Sequence, residues 1–183
     1  QAIVIDQFGG PEVLQRRELP APVATPGHAV VRIAHAGVNF VDLYQRQGRY
    51  PGITLPWRPG LEGAGEIIDV APGSGCAVGE RVAFTTGVQG AYATQLAVPI
   101  DHLVRVPAAL ALRDAAAALE QGLTAAMLLH DVARLKPGEP VLVHAAAGGV
   151  GGWLVQWLVA RGHPVFGTVS SAAKAEWLRR LGV

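Results

Sequence analysis

The chain has 183 residues and a mass of 19.1 kDa, enough for one domain or for one domain and part of another. Half of its residues are hydrophobic and only 16% are charged, which excludes a disordered chain. A net charge of +1 gives no electrostatic case for nucleic acid or an anionic membrane surface. Glycine (23) and proline (13) fill a large share of the sequence with no strict period, so collagen is excluded and many turns are expected.

The single cysteine, Cys76, cannot close an internal disulfide or build a cysteine-rich zinc site, and it fits a reducing, cytoplasmic compartment. The start at Gln1 lacks a basic–apolar leader pattern. Two uncharged stretches, Val82–Ile100 and Pro140–Ala160, reach membrane-spanning length. The first carries Thr85, Thr86, Gln89 and Gly90 and reads as strand, turn, strand. The second has a run of glycines at its middle and reads as strand, loop, helix. No membrane span is expected from either.

In chain order, Ala2–Asp6 predicts a strand, Gly9-Gly10-Pro11 a turn, and Val13–Leu19 a second strand. Pro20, Pro22, Pro26 and Gly27 make an extended loop. Ala29–Val38 is a longer strand. Asn39–Gln47 predicts a helix with Asn39 as N-cap and Gly48 as its stop. Gly63–Val70, Arg81–Phe84 and Ala91–Val98 are further strands. Several short strands with frequent Gly and Pro argue for a compact β barrel or sandwich. Near residue 113 the pattern turns helical: Asp114 caps an alanine-rich helix, Gly122–Leu135 is a second helix, and Lys136-Pro137-Gly138-Glu139 is a turn. Beyond it come a buried strand (Pro140–His144), a helix (Gly149–Arg161), a strand (Pro164–Val169) and a helix (Ser171–Leu181). That alternation is the opening of a parallel α/β sheet.

The glycine loop between Val143 and Val150 carries the strongest local chemistry. Glycines there let the backbone approach a pyrophosphate, and the following helix offers its unpaired N–H groups to it. Ala146, Gly148 and Gly151 occupy the slots of G-x-G-x-x-G, with alanine in place of the first glycine. A tight strand–helix turn without a ligand is the other reading. The end of the next strand, Phe166-Gly167-Thr168-Val169-Ser170-Ser171, has no acid to bond a ribose 2′-OH. Lys174, one of two lysines in the chain, follows it. Small hydroxyls and a cation suit a 2′-phosphate, hence NADPH; a solvated helix lysine is the alternative. Tyr44 and Tyr50, taken alone, read as packing residues.

The segments Gly37–Tyr50, Gly60-Leu61-Glu62-Gly63-Ala64-Gly65, Val78-Gly79-Glu80-Arg81-Val82, Gln121-Gly122-Leu123-Thr124-Ala125 and Val141–Gly151 occur in this order. Together they resemble the zinc-independent quinone oxidoreductases (zeta-crystallin-like) of the medium-chain dehydrogenase/reductase superfamily. The resemblance runs from Gly9-Gly10-Pro11-Glu12-Val13-Leu14 to Gly182. It implies an α/β fold with a β-rich part: a GroES-like β-barrel domain over 1–112, a connecting helical segment over 113–137, and the beginning of a Rossmann doubly wound parallel sheet over 138–183. It implies NADPH in the cleft between the two domains. Asn39, Tyr44 and Tyr50 would face the nicotinamide and the substrate. Gln121 and Thr124 would lie near the nicotinamide ribose, Ala147, Gly148, Gly149 and Val150 would hold the pyrophosphate, and Gly167, Ser170 and Lys174 would take the adenosine ribose phosphate. Gln121 departs from the family pattern, in which Lys often precedes Gly-Leu-Thr.

No metal is expected. Asn39 stands where zinc-dependent relatives have their first cysteine, Leu61 where they have the histidine before glutamate, and the six histidines show no ligand spacing. Without zinc the hydride acceptor must already be electrophilic, as quinones and activated alkenes are, and the resemblance implies a quinone. An enoyl or alkenal double-bond reductase is the alternative. An NADPH-binding protein without catalysis, of the crystallin or RNA-binding kind, is a further one. A complete dinucleotide fold has six strands, against two in Gly138–Val183. The sequence is therefore expected to belong to a longer, two-domain parent, and the resemblance implies that this parent is a homodimer.

Overall fold

The computed structural model describes residues 1–183 except Thr86 and Val88. The turn expected around Thr85 and Thr86 thus lies partly outside the described residues. By its internal contacts the chain divides into Gln1–Leu119 and Glu120–Val183.

In the first unit, β1 (Ala2–Val4) and β2 (Gln15–Arg17) form an antiparallel ribbon. The segment before β2 is a single tight helical turn, Pro11–Val13, so the second strand is shorter than expected. Five strands make the main antiparallel sheet: β3 (His28–Gly37), β4 (Glu62–Val70), β5 (Arg81–Phe84), β6 (Gln95–Pro99) and β7 (Leu103–Arg105). Their order is β6-β3-β4-β5-β7. The strand expected at Ala91–Val98 narrows to β6, and β7 was not anticipated. In β6 burial alternates, with Leu96 and Val98 inward, as a strand with one covered face requires. They pack with Val31, Ile67, Val82 and Phe84.

The expected barrel is realised as this open sheet and the ribbon, tied by bridges at Ala2–Ala93 and Ile5–Trp57. No closed hydrogen-bonded ring is present among the described residues. The proline-rich segment before β3 offers no N–H at Pro20, Pro22 and Pro26, so it cannot extend a ladder. Strands β3 and β4 approach closely at Gly65, where any Cβ would overlap the Arg32 carbonyl. Their register shifts between Ile33 and His35, next to that point.

Helix α1 (Phe40–Arg46) starts at Asn39, as expected. Gly48, at φ +70°, follows its end.

The two helices expected after residue 112 are one. Helix α2 runs Leu112–Met127 and continues as a wider turn over Leu128–Val132. Asp114 lies in its first turn rather than capping it, and Gly122 lies inside it. One internal glycine costs a helix only about 1 kcal/mol relative to alanine, which the alanines around it readily offset. The first half of α2 packs Ala115 and Ala116 on Ala64, Ala83 and Val106. The boundary between the two units falls within α2.

The second unit holds β8 (Val141–Val143), α3 (Gly149–Ala160), β9 (Val165–Gly167) and α4 (Ala172–Arg180). β8 and β9 are parallel, in the strand–helix–strand–helix order expected. Val143, Ala146, Val155, Leu158, Val165 and Leu178 form its core. Fully burying a side chain such as Leu158 contributes roughly 1.5–3 kcal/mol.

Candidate active-site elements

In the second unit the glycine loop is a backbone cradle. The chain leaves β8 and turns through Ala145 at φ +50°, a left-handed conformation unusual for alanine. Thr168, just beyond β9, holds that turn. Its hydroxyl accepts the Ala145 N–H at 3.1 Å, its carbonyl accepts the Ala146 N–H at 3.0 Å, and its own N–H donates to Val143 O at 3.0 Å. The loop closes with Gly148 N–H on Ala145 O at 2.7 Å, and Gly148 is the N-cap of α3.

The glycines differ in purpose. A Cβ on Gly151 would overlap the Ala145 carbonyl and lie 2.8 Å from Ala146 Cα, so Gly151 allows the helix to start against the loop. A Cβ on Gly149 would overlap the Gln121 side-chain amide. Gly148 and Gly149 are exposed, and Ala147 and Val150 are half-buried beside them. A Cβ on Gly167 would stand 2.8 Å from Ala146 Cβ and 3.0 Å from Leu178 Cδ1, so this glycine serves strand–helix packing. Ser170 and Lys174 meet: Lys174 Nζ donates to Ser170 Oγ at 3.2 Å. Ser171 caps α4 by accepting the Lys174 N–H. The Thr124 hydroxyl donates to the Glu120 carbonyl at 2.8 Å, within α2.

In the first unit Asn39 is buried and its Nδ2 donates to Glu62 Oε2 at 2.9 Å. Asp42 closes a capping box, accepting the Asn39 N–H on Oδ2 at 2.8 Å. The same oxygen accepts the Tyr92 hydroxyl at 2.8 Å. Burial, then the hydrogen bond to Asp42 and the charges of Asp42 and Glu62, hold the Tyr92 hydroxyl well above the usual tyrosine range. Tyr44 and Tyr50 are exposed, and the Tyr44 ring lies 5.7 Å from that of Phe40 in a tilted pair. An open surface hollow of about 330 Å³ runs between residues 1–3, 33–36 and 91–94, and of this network only Tyr92 borders it.

Asp42, Tyr92 and Thr168 were not singled out from the sequence. Asp42 had a signal, the Asn-x-x-Asp spacing of a capping box. Tyr92 had none, since only tertiary folding brings it to α1. Among the described residues, no group of three or more His, Cys, Asp or Glu side chains could hold a metal ion. No helix among them is long and apolar enough to cross a membrane.

Residues 25–108 match the alcohol dehydrogenase GroES-like domain family. The chain is 43% identical over 178 residues to a quinone oxidoreductase of Pseudomonas aeruginosa, covering 96% of this chain and 54% of that protein. It is 39% identical over 187 residues to a 2-haloacrylate reductase of a Burkholderia species, covering 99% of this chain and 56% of that protein. The crystal structure of Escherichia coli quinone oxidoreductase complexed with NADPH superposes with a TM-score of 0.94 at 37% identity, over 98% of this chain and 56% of that one. The chain thus spans about half the length of the curated relatives it matches. Along nearly its whole length it is similar to quinone oxidoreductases of the medium-chain dehydrogenase/reductase superfamily, the resemblance its motifs carry.

Proposed function

We propose that this chain belongs to an NADPH-dependent oxidoreductase that reduces a quinone without zinc. The observation that carries this reading is the likeness, at a TM-score of 0.94, to a quinone oxidoreductase complexed with NADPH. The loop geometry fits such a cofactor. Gly148 and Gly149 leave the start of α3 open at the backbone, where helix N–H groups attract a diphosphate. The Ser170–Lys174 pair supplies a hydroxyl and a cation for a 2′-phosphate. No acid lies between Phe166 and Ser171 to favour a 2′-OH instead.

When bound, NADPH supplies the hydride. The remaining work is placement and proton management by the protein. Asn39 is fixed by Glu62 and by its place at the N-cap, and its committed amide suits orientation rather than metal binding. Tyr44 presents an exposed hydroxyl on the same helix, able to polarise the acceptor oxygen or deliver a proton to it. Tyr50 and, on α2, Gln121 and Thr124 are assigned supporting contacts to the acceptor and the nicotinamide ribose. Domains at 1–112, 113–137 and 138–183, a cytoplasmic location and a homodimeric parent complete the proposal.

The second reading is a reductase of activated alkenes, favoured by the 39% identity to a 2-haloacrylate reductase. Turnover of a panel of quinones and enones, followed by loss of NADPH absorbance, decides between them. Faster reduction of quinones supports the first reading, and turnover confined to enones supports the second. Tight NADPH binding with no turnover on any acceptor points to the non-catalytic binding role.

A further inference from the structure

Helix α1 inverts the usual arrangement of a surface helix. Its aromatic residues Phe40 and Tyr44 are exposed by 71% and 42%, while its carboxylate, Asp42, is only 4% exposed. Seven residues carry too little intrinsic helicity to hold a fixed direction in water. Exposed rings add little burial to hold it. Half-buried Val41 and Leu43 hold it in part, and Gly9 ties its far end by donating N–H to Arg46 O at 3.1 Å and accepting Arg46 Nε on its carbonyl at 3.2 Å; at the start of the helix the restraint is a polar network. Tyr92 O–H and Asn39 N–H both donate to Asp42 Oδ2, and Asn39 Nδ2 donates to Glu62 Oε2.

These donors and acceptors come from parts of the first unit far apart in sequence. Glu62 begins β4, and Tyr92 lies ahead of β6. Two glycines pack closely against them. A Cβ on Gly37 would overlap the Glu62 carboxylate, and one on Gly60 would lie 2.8 Å from the Tyr92 ring. The raised Tyr92 hydroxyl stays protonated, so it remains a donor across the neutral range.

We infer that Tyr92 and Glu62 are positioning residues that act through Asp42 and Asn39 to set the direction in which α1 presents Asn39 and Tyr44 to the acceptor. This rests on the proposed role of Asn39 and Tyr44, and it adds two residues that bear on the reaction without contacting the acceptor. A sheet-anchored polar clamp leaves the aromatic face of α1 open while denying the helix rotational freedom.

The test uses Asn39 itself, the only asparagine in the sequence. Isotopic labelling of asparagine nitrogen gives one side-chain amide whose proton exchange reports the clamp. Tyr92→Phe removes one oxygen and keeps the ring. Exchange of the Asn39 amide protons is expected to rise about fivefold, and kcat per NADPH-binding site to fall by a similar factor, with the NADPH Kd unchanged. Glu62→Gln is expected to bring the two amide protons closer in chemical shift. If that variant does not fold, Tyr92→Phe carries the test alone. A merely structural role would lower the melting temperature and the fraction of molecules that bind NADPH, and would leave both readouts per bound site unchanged. Unaltered amide exchange in Tyr92→Phe overturns the inference. Altered exchange with unaltered kcat in an active enzyme also overturns it, because the link to the reaction is then absent. If the unmodified protein turns over no acceptor, the proposed reaction fails and amide exchange by itself decides the clamp.

Discussion

Gln121 lies across Gly149 so closely that any Cβ on Gly149 would overlap its side-chain amide. The obstacle is the far end of a flexible side chain. At Gly151 the obstacle is backbone, the Ala145 carbonyl and Ala146 Cα. The two positions therefore separate folding from binding. Gly149→Ala is expected to leave unfolding free energy within about 0.5 kcal/mol, since Gln121 swings aside and alanine favours the helix. Gly151→Ala must shift the loop and is expected to cost about 1–3 kcal/mol. Urea unfolding measures both, and NADPH titration is expected to show weaker binding in each. Equal stability losses would contradict the different surroundings of the two glycines.

Thr168 fastens the cradle through its hydroxyl. Thr168→Val keeps the shape and removes the acceptor for Ala145 N–H. With the site exposed, the loss is expected to be about 0.5–1.5 kcal/mol in stability. The left-handed turn at Ala145 loses its side-chain restraint, so NADPH affinity is expected to fall as well. Calorimetric titration against the unmodified protein checks this. Unchanged affinity would mean that the backbone bonds of Thr168 hold the loop by themselves.

Cofactor choice is expected to rest on Lys174 and Ser170. Lys174→Ala removes the cation and is expected to weaken NADPH about tenfold while leaving NADH nearly unaffected. The NADPH preference should also fall with added salt, because the pair is exposed and screened. Parallel titrations with both nucleotides decide it, and equal losses for the two would remove the 2′-phosphate role.

Tyr44 is the expected proton-handling group rather than Tyr50, because it sits on a clamped helix with its ring against Phe40. Tyr44→Phe is expected to lower kcat by about 10²-fold with NADPH affinity unchanged. Steady-state kinetics with a quinone acceptor measures it. Unchanged turnover and unchanged NADPH affinity would end that role for Tyr44.

Tyr92 makes a specific alkaline prediction. An unfolded tyrosine ionises near pH 10, whereas folded Tyr92 holds its proton to higher pH. Its contribution to stability is therefore complete below about pH 10 and is lost as pH rises beyond it, where only the unfolded chain gives up the proton. Denaturant unfolding should show a steeper alkaline loss in the unmodified protein than in Tyr92→Phe. In an ultraviolet titration, Tyr92 is expected to ionise only together with unfolding.

Local pattern was enough to read α1 from Asn39 to Gly48, the parallel β8–α3–β9–α4 run and the family likeness. Each depends on short-range periodicity, capping and turn residues, which a linear chain carries openly. The second helix expected to begin at Gly122 is part of α2, because the small cost of a glycine inside a helix is absorbed by the alanines around it. The open sheet with its tied ribbon depends on strand partners far apart in the chain, and so does β7 against β5. The same holds for the clamp. Asn39 and Lys174 were legible as candidates because they sit in motifs, and the Asp42 capping spacing was there to be read. Tyr92 reaches Asp42 from fifty residues away, and Thr168 reaches Ala145 from twenty-three. By itself, the sequence determined the residue types able to cradle phosphate and cap a helix. Only the tertiary structure decided which distant donors meet those residues, because hydrogen bonds across a fold depend on strand pairing rather than on spacing along the chain.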